Sequence, residues 1–143
     1  RKILANSERL GTTCLQLLVA DSTELLSTHP EWEAYFHRIL IDAPCSGLGT
    51  LARHPDARWR MNFNSIKELV VVQSQLLNSL APLLKSGGKL VYSTCTIHPD
   101  ENSNQIRNFL KSKSEFLLEY ERQIWPGDKN KGDGFYIAVM NKI

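Results

Sequence analysis

The sequence RILIDAPCSG at residues 38–47 decides the fold of this 143-residue chain. Its first part contains the continuous apolar run 39–41, and such runs are typical of parallel β-strands that are covered on both faces. A second predicted strand, KLVYST, occupies residues 89–94. A long helical pattern at residues 64–85 separates the two. Strand, helix and strand in this order form a βαβ unit, which predicts an α/β fold with a mostly parallel sheet.

The other predicted elements lie on either side of this unit. Three helices are predicted: one at residues 2–10, a short one that begins with a capping box at residues 21–24, and one from Pro99 onward. Three further strands are predicted at residues 15–20, 116–120 and 135–140. The last two strands are close enough in sequence to pair antiparallel. The long loop at residues 43–63 is of the kind that usually carries function. All of these elements fit one domain, residues 1–143.

Composition and charge are those of an ordinary globular protein. The net charge is +2, and hydrophobic residues make up 42% of the chain. The sequence has no apolar stretch long enough for a signal peptide or a membrane span, which predicts no membrane partner. Three cysteines without a C-x-x-C spacing predict neither a disulfide framework nor a metal site. Free thiols of this kind fit a cytoplasmic location.

A basic cluster follows the first predicted strand. Arg53, His54, Arg58 and Arg60 surround Trp59. Such a group is typical of a surface that contacts phosphates and offers an aromatic ring for base stacking. A solvated loop whose tryptophan packs inward is the alternative, and the charge alone favours it.

Two cysteines follow the ends of the two strands of the βαβ unit. Cys45 comes shortly after the first strand, which ends at Asp42, and Cys95 comes directly after the second. The carboxyl ends of neighbouring parallel strands share one crevice, where open sheets bind their ligands. Two thiols and a carboxylate could therefore meet there, which suggests covalent chemistry by a thiolate. Taken singly, a cysteine is more often a small buried hydrophobic residue, and Cys14 is expected to be one.

Further motifs accompany these residues in a fixed order. They are DAPCSG at residues 42–47, RHPD at 53–56 with Trp59, LKSGGKLVYSTC at 84–95, Asn102, and GDGF at 132–135. In this order they resemble the C-terminal part of the catalytic domain of an RNA (cytosine-5) methyltransferase of the Sun/NOL1/NOP2 family. The similarity is greatest to the bacterial enzymes that modify small-subunit ribosomal RNA. It implies a Rossmann-like class I methyltransferase sheet, S-adenosyl-L-methionine as cofactor and ribosomal RNA as partner.

The resemblance also implies a role for each candidate residue. Cys95 corresponds to the nucleophile that attacks position 6 of cytosine, after which position 5 takes the methyl group. Cys45 corresponds to the residue that helps to release the product. Asp42 corresponds to the carboxylate between cofactor and target base, and Asp21 to the acid that contacts the adenine of the cofactor. From the residues alone, Asp21 could be a helix N-cap and Asp42 could close an Asx turn.

Two features of that family are missing from the sequence. They are the glycine-rich cofactor loop after the first strand of the sheet and the acid after the second strand that holds the ribose. We therefore expect the chain to be a partial methyltransferase domain in which those first two strands are absent, and to bind the cofactor poorly alone. The missing N-terminal part of the same enzyme is then an expected partner. The strand at residues 15–20 would have to move, swap into another chain or remain an exposed edge.

Three other interpretations remain open at this point. The chain could be a non-catalytic RNA-binding or interaction module that retains the fold. It could be a thiol redox protein that uses Cys45 and Cys95 as a pair, although the usual spacing is missing. Within the enzyme interpretation the target could be DNA, although a second thiol at Cys95 is typical of the RNA enzymes in the resemblance.

Overall fold

A four-stranded mixed sheet forms the centre of the computed structural model, which describes residues 2–127 and 132–143. Its strands are β1 (Phe36–Asp42), β2 (Leu84–Thr94), β3 (Phe116–Ile124) and β4 (Phe135–Lys142). Their spatial order is β1-β2-β4-β3. β1 and β2 are parallel, whereas β4 is antiparallel to both of its neighbours. The predicted parallel pair and the predicted antiparallel final pair are both present.

The fourth and fifth helices along the chain pack against this sheet. In the described part of the chain the helices are α1 (Lys2–Arg9), α2 (Leu25–Thr28), α3 (Ala57–Arg60), α4 (Phe63–Leu80) and α5 (Ser103–Ser112), with 3₁₀ turns at Pro30–Trp32, Leu48–Thr50, Ala81–Leu83 and Pro99–Glu101. Because α4 connects β1 to β2, the predicted βαβ unit is confirmed. Across residues 2–127 and 132–143, no helix combines the length and the apolar character that crossing a membrane would require.

Helix α4 ends earlier than its apolar pattern predicts. The Asn62 side chain caps its start by accepting a hydrogen bond from the Ser65 amide at 3.0 Å. The helix stops at Leu80 and tightens into the 3₁₀ turn that contains Pro82. Proline has no N–H to donate and its ring clashes with the preceding turn, so the predicted continuation to residue 85 is wrong. The chain enters β2 at once, and Gly87, which has a positive φ, lies inside this strand.

The core lies where α4 and α5 meet the sheet. Its largest fully buried apolar side chains come from both layers and are Leu77, Leu83, Leu84, Leu90, Tyr92, Ile106, Tyr136 and Met140. β2 is the central contributor because it is paired on both sides and alternates buried with less buried positions over residues 88–92. This core fixes the position of the two strand ends on which the candidate site depends.

Truncating the core beneath these strands should destabilise the fold. Leu77 on α4 is completely buried, so Leu77→Ala leaves a cavity and should lower the free energy of unfolding by about 2–5 kcal/mol. Val71 on the same helix is exposed, and Val71→Ala should change it by about 0.5 kcal/mol or less. Urea unfolding followed by circular dichroism measures both values. Equal effects of the two variants would show that α4 does not pack as described.

The predicted strand at residues 15–20 does not form. The segment has no regular secondary structure and pairs with no strand of the sheet, and its apolar residues Leu15, Leu17, Leu18 and Val19 are exposed. A strand needs a neighbour that accepts its backbone hydrogen bonds and a layer that covers its apolar side chains. β1 is bonded only to β2 among the described strands, so this segment finds neither.

Cys14 directly precedes this segment. Its thiol is free and exposed, so its expected place in the core is wrong. The physical reason is the same as for residues 15–20, because none of the described helices or strands covers that part of the chain.

Candidate active site

The two predicted thiols lie side by side at one edge of the sheet. The Sγ atoms of Cys45 and Cys95 are 3.5 Å apart, and both residues are partly exposed. The register explains the meeting, because Asp42 pairs with Ser93 and each cysteine follows within three residues of that pair. Their predicted convergence is confirmed, whereas their catalytic roles stay predictions.

The Cys45 thiol is held in its protonated form. Burial raises its pKa well above the ordinary value for cysteine, and the neighbouring Cys95 raises it further. The backbone N–H of Gly47 acts in the opposite direction but does not cancel burial. At neutral pH, Cys45 is therefore a thiol that can donate a proton, a state that suits an acid better than a nucleophile.

The residues that follow the two cysteines are joined by a buried carboxylate. Glu101, which is completely buried, accepts hydrogen bonds from the Ser46 amide at 2.8 Å and the Ser46 hydroxyl at 2.5 Å. It also accepts from Thr96 Oγ1 at 3.2 Å and Gln73 Nε2 at 3.1 Å. From the sequence, Glu101 resembles an ordinary acid in the first turn of a helix, so its role as a buried acceptor was not predicted. The one available signal was Gln73, a polar residue on the apolar face of α4.

Asn102 braces the other side of Cys95. Its Oδ1 accepts from the Thr94 hydroxyl at 2.6 Å, and its Nδ2 donates to the Thr96 carbonyl at 3.0 Å. The same Nδ2 donates to Gln123 Oε1 on β3 at 2.8 Å. Asn102 has the unusual backbone angles φ −115° and ψ −106°, which separate the turn at Pro99–Glu101 from α5. The predicted helix from Pro99 is therefore a 3₁₀ turn followed by a helix that starts at Ser103.

Backbone contacts close the site around Cys95. The Gly49 amide donates to the Cys95 carbonyl at 3.0 Å, and the Gly134 amide donates to the Gly49 carbonyl at 2.8 Å. A Cβ on Gly49 would lie 2.3 Å from the Gly134 carbonyl oxygen and 2.7 Å from that of Cys95. Only glycine fits at this position, where the loop after the DAPCSG motif lies between the Cys95 backbone and the GDGF motif.

Asp42 and Asp21 line one cleft beside the thiols. The cleft has a volume of about 610 Å³ and an apolar wall that includes Leu40, Ile41 and Leu76. Hydrogen bonds from the hydroxyl and the amide of Thr23 hold the Asp21 carboxylate and lower its pKa. This is an Asx turn and not the predicted capping box, since α2 begins after Glu24 without a side-chain cap.

Asp42 also lines this cleft and is exposed. The Ser93 hydroxyl donates to its Oδ1 at 3.4 Å. The cleft is therefore lined by two carboxylates and by apolar side chains.

The basic loop presents its tryptophan to solvent. The Trp59 side chain is 87% exposed, so the interpretation in which it packs inward is wrong. Arg53 forms an ion pair with Asp133, which ties this loop to the GDGF motif, and Arg58 is exposed. The Arg60 side chain lies outside the described residues. Among the described side chains, no cluster of three histidine, cysteine or acidic residues could hold a metal ion.

Solved structures with the same fold define the class of protein. The protein PH0851 superposes with a TM-score of 0.92 at 32% identity, over 99% of this chain and 34% of its own. NSun6 from Pyrococcus horikoshii, solved with SFG, superposes with a TM-score of 0.81 at 26% identity, over 99% of this chain and 38% of its own. The fold is that of a class I methyltransferase, as the resemblance implied.

Sequence comparison then identifies the family. The model of the 16S rRNA methyltransferase RsmB/F family matches residues 1–141, and the chain belongs to this family. Ribosomal RNA small subunit methyltransferase B of Proteus mirabilis is 47% identical over 107 residues, which is 75% of this chain and 25% of that protein. A probable counterpart from Synechocystis is 40% identical over 157 residues, which is 99% of this chain and 35% of that protein. The chain thus spans about a quarter to a third of the length of these relatives.

Proposed function

We propose that this chain is the part of an RNA (cytosine-5) methyltransferase domain that carries the reacting thiols. The methyl group of S-adenosyl-L-methionine is transferred to position 5 of a cytosine in ribosomal RNA, in the cytoplasm. The observation that carries this proposal is the 3.5 Å separation of the Cys45 and Cys95 sulfur atoms at the ends of parallel strands. A non-catalytic RNA-binding module has no need for two thiols in contact.

The Cys95 thiolate attacks position 6 of the cytosine, and the new carbon–sulfur bond makes position 5 electron-rich. Attack places negative charge on the ring, which N3 neutralises by taking a proton from solvent, and Asp42, at the end of β1, stabilises the ring in this protonated form. The target base must be unpaired or flipped out of a helix, because its position 6 is inaccessible to in-plane attack within a stack.

Cys45 acts in the release step. Once position 5 carries the methyl group, a water molecule takes the proton from position 5. The electron pair left behind forms the double bond to position 6, and the carbon–sulfur bond breaks with its electron pair on Cys95. The Cys45 thiol, 3.5 Å away and protonated, transfers its proton to that sulfur and is reprotonated from solvent. In this assignment the two thiols have different tasks, attack on the base by Cys95 and proton donation by Cys45.

The cleft beside the thiols is suited to the cofactor. It offers an apolar wall for the adenine, with Asp21 placed to accept from the adenine amino group, and Asp42 as a carboxylate for the cationic end. The cofactor supplies an electrophilic methyl group on a positively charged sulfur. The ribose and the amino-acid part would need residues that the missing glycine-rich loop and acid provide in the family.

Cofactor binding by the 143-residue chain alone should therefore be weak. We expect a dissociation constant above about 100 μM, roughly 5.5 kcal/mol of binding free energy or less, because only part of the cofactor is contacted. Isothermal titration calorimetry of the purified chain with S-adenosyl-L-methionine measures it. Binding in the low micromolar range would contradict the view that a separate N-terminal part completes the cleft.

The exposed Trp59 should contribute to RNA binding. Stacking of a base on an aromatic ring is worth about 1–3 kcal/mol, so Trp59→Ala should raise the KM for RNA roughly 5- to 100-fold with little change in kcat. Trp59→Phe should recover part of the affinity. Tyr35, also exposed but at the opposite end of β1, is the matched control, and Tyr35→Ala should leave KM unchanged. Equal behaviour of the two alanine variants in a steady-state assay would exclude the basic loop as the RNA contact.

The thiol redox alternative predicts a different dependence on reductant. The distance between the two sulfur atoms would also permit an internal disulfide, on which a redox function would depend. In the proposed function only the reduced pair is active. Methyl transfer by the full-length enzyme should therefore persist in excess dithiothreitol. Loss of that methyl transfer in dithiothreitol, with recovery when the two thiols are oxidised, would favour the redox interpretation.

A further inference from the structure

The Glu101 carboxylate connects the loop that contains Cys45 to the loop that contains Cys95. Its Oε1 accepts from the Ser46 amide and its Oε2 from the Ser46 hydroxyl, and Ser46 directly follows Cys45. Its Oε2 also accepts from the hydroxyl of Thr96, which directly follows Cys95. The two hydroxyls are themselves 2.7 Å apart. A single carboxylate therefore holds the residue after each thiol.

The other side of Cys45 is held through the same carboxylate. Gln73 on α4 donates from one nitrogen to Glu101 Oε1 at 3.1 Å and to the carbonyl of Pro44, the residue before Cys45, at 2.9 Å. The Gln73 Oε1 is buried without a hydrogen-bond partner among the described residues, which is a cost that a leucine here would avoid. A glutamine on this apolar face is thus explained by the bonds of its nitrogen.

A carboxylate suits this position better than other side chains. An ionised carboxyl group only accepts, and its two oxygens have about four lone-pair sites. The structure supplies four donors, all neutral: one amide N–H of the main chain, one amide N–H of a side chain and two hydroxyls. A glutamine at this position would keep one accepting oxygen and would replace the other oxygen by an NH₂ group, which only donates. The Ser46 and Thr96 hydroxyls would then have to reorient.

We propose that Glu101 is a positioning residue that fixes the Cys45 thiol against Cys95 for the release step. This inference rests on the proposed function. Cys95 is also held by the Gly49 amide, and its neighbours Thr94 and Thr96 are held by Asn102. Loss of the Glu101 bonds therefore displaces Cys45 more than Cys95. The expected consequence is selective: attack on the base continues, and release of the methylated product slows.

The test uses the full-length enzyme that contains this chain. Glu101→Gln should lower kcat by about 100-fold, the cost of a misplacement of about 1 Å, with the KM values for RNA and cofactor unchanged. It should also accumulate a covalent protein–RNA adduct on ordinary RNA, seen as a denaturant-stable band, as Cys45→Ala is expected to do. Asp100→Asn is the matched control, because Asp100 is an exposed acid in the same turn that bonds to Asn104.

A second measurement follows the thiol pair without any reaction on RNA. Phenylarsine oxide binds two adjacent thiols by forming two arsenic–sulfur bonds, and its oxygen leaves as water with the two thiol protons. Its affinity should fall at least tenfold in Glu101→Gln and be unchanged in Asp100→Asn, with Cys45→Ala as the variant that cannot form both bonds. Ser46→Ala, which removes one hydroxyl donor and keeps the amide, should give a smaller decrease and serves as the second variant if Glu101→Gln folds poorly.

The outcomes separate this inference from the function on which it rests. Wild-type arsenical affinity together with wild-type turnover in both Glu101→Gln and Ser46→Ala would overturn the positioning role. An equal decrease in the rates of adduct formation and product release, in variants that remain folded, would also overturn the positioning role. Weaker arsenical binding in the Glu101 variant, with no adduct in any variant and no methylation by the wild type, would uphold the positioning of the thiols and refute the proposed function.

Discussion

Cys95→Ala is expected to abolish methyl transfer and to remove the covalent adduct with RNA that contains 5-fluorocytosine. The fluorine at position 5 blocks release, so the wild-type full-length enzyme should accumulate the adduct. Without the Cys95 sulfur no bond to position 6 can form, and turnover should fall by roughly 10⁴-fold or more, as for other enzymes that lose their nucleophile. A gel that resolves protein from protein–RNA conjugate measures the adduct, and transfer of a labelled methyl group measures turnover.

The controls for this prediction lie within the same chain. Cys14 is exposed and distant in sequence from both motifs, so Cys14→Ala should leave adduct and turnover unchanged. Thermal unfolding of each variant shows whether the fold survives the substitution. An adduct that persists in Cys95→Ala would exclude Cys95 as the nucleophile and leave Cys45 as the candidate.

Cys45→Ala is expected to show the complementary behaviour. Attack should continue because Cys95 is intact, and the adduct should accumulate with ordinary RNA because the proton donor to the departing sulfur is gone. Multiple turnover should fall by about 10²- to 10⁴-fold, the usual contribution of a positioned acid. A single-turnover experiment, in which methylated RNA forms but remains attached to protein, distinguishes this from a loss of attack. Loss of the adduct in Cys45→Ala and its retention in Cys95→Ala would reverse the two assignments.

The pH dependence of release follows from the environment of Cys45. Burial raises the pKa of Cys45, so its proton-donating form is present at neutral pH and is lost only as the pH rises through that raised value. The release rate should therefore be level across neutral pH and fall in the alkaline range. Cys45→Ala should lack this alkaline decline, and pre-steady-state measurement of adduct decay provides the comparison.

The positions of some residues could be predicted from the sequence, and the positions of others could not. The cysteines could be predicted as neighbours because each follows a strand of a βαβ unit, and parallel strands bring their carboxyl ends to one edge. An apolar local pattern predicts a strand at residues 15–20 and a buried Cys14, yet pairing and burial both depend on partners that the pattern does not contain. The end of α4 was misplaced for a related reason, since Pro82 outweighs an apolar period that continues past it.

By itself, the sequence determined the βαβ unit, the antiparallel final pair and the edge at which the thiols meet, because hydrophobic periodicity and strand direction are local properties. The tertiary structure alone decided the 3.5 Å contact between the sulfur atoms, the exposure of Trp59 and the role of Glu101. The bonds of Glu101 join residues up to 55 positions apart, and no local pattern records which loops a buried carboxylate will meet. Such contacts form only when distant segments are packed together and each buried donor must find an acceptor.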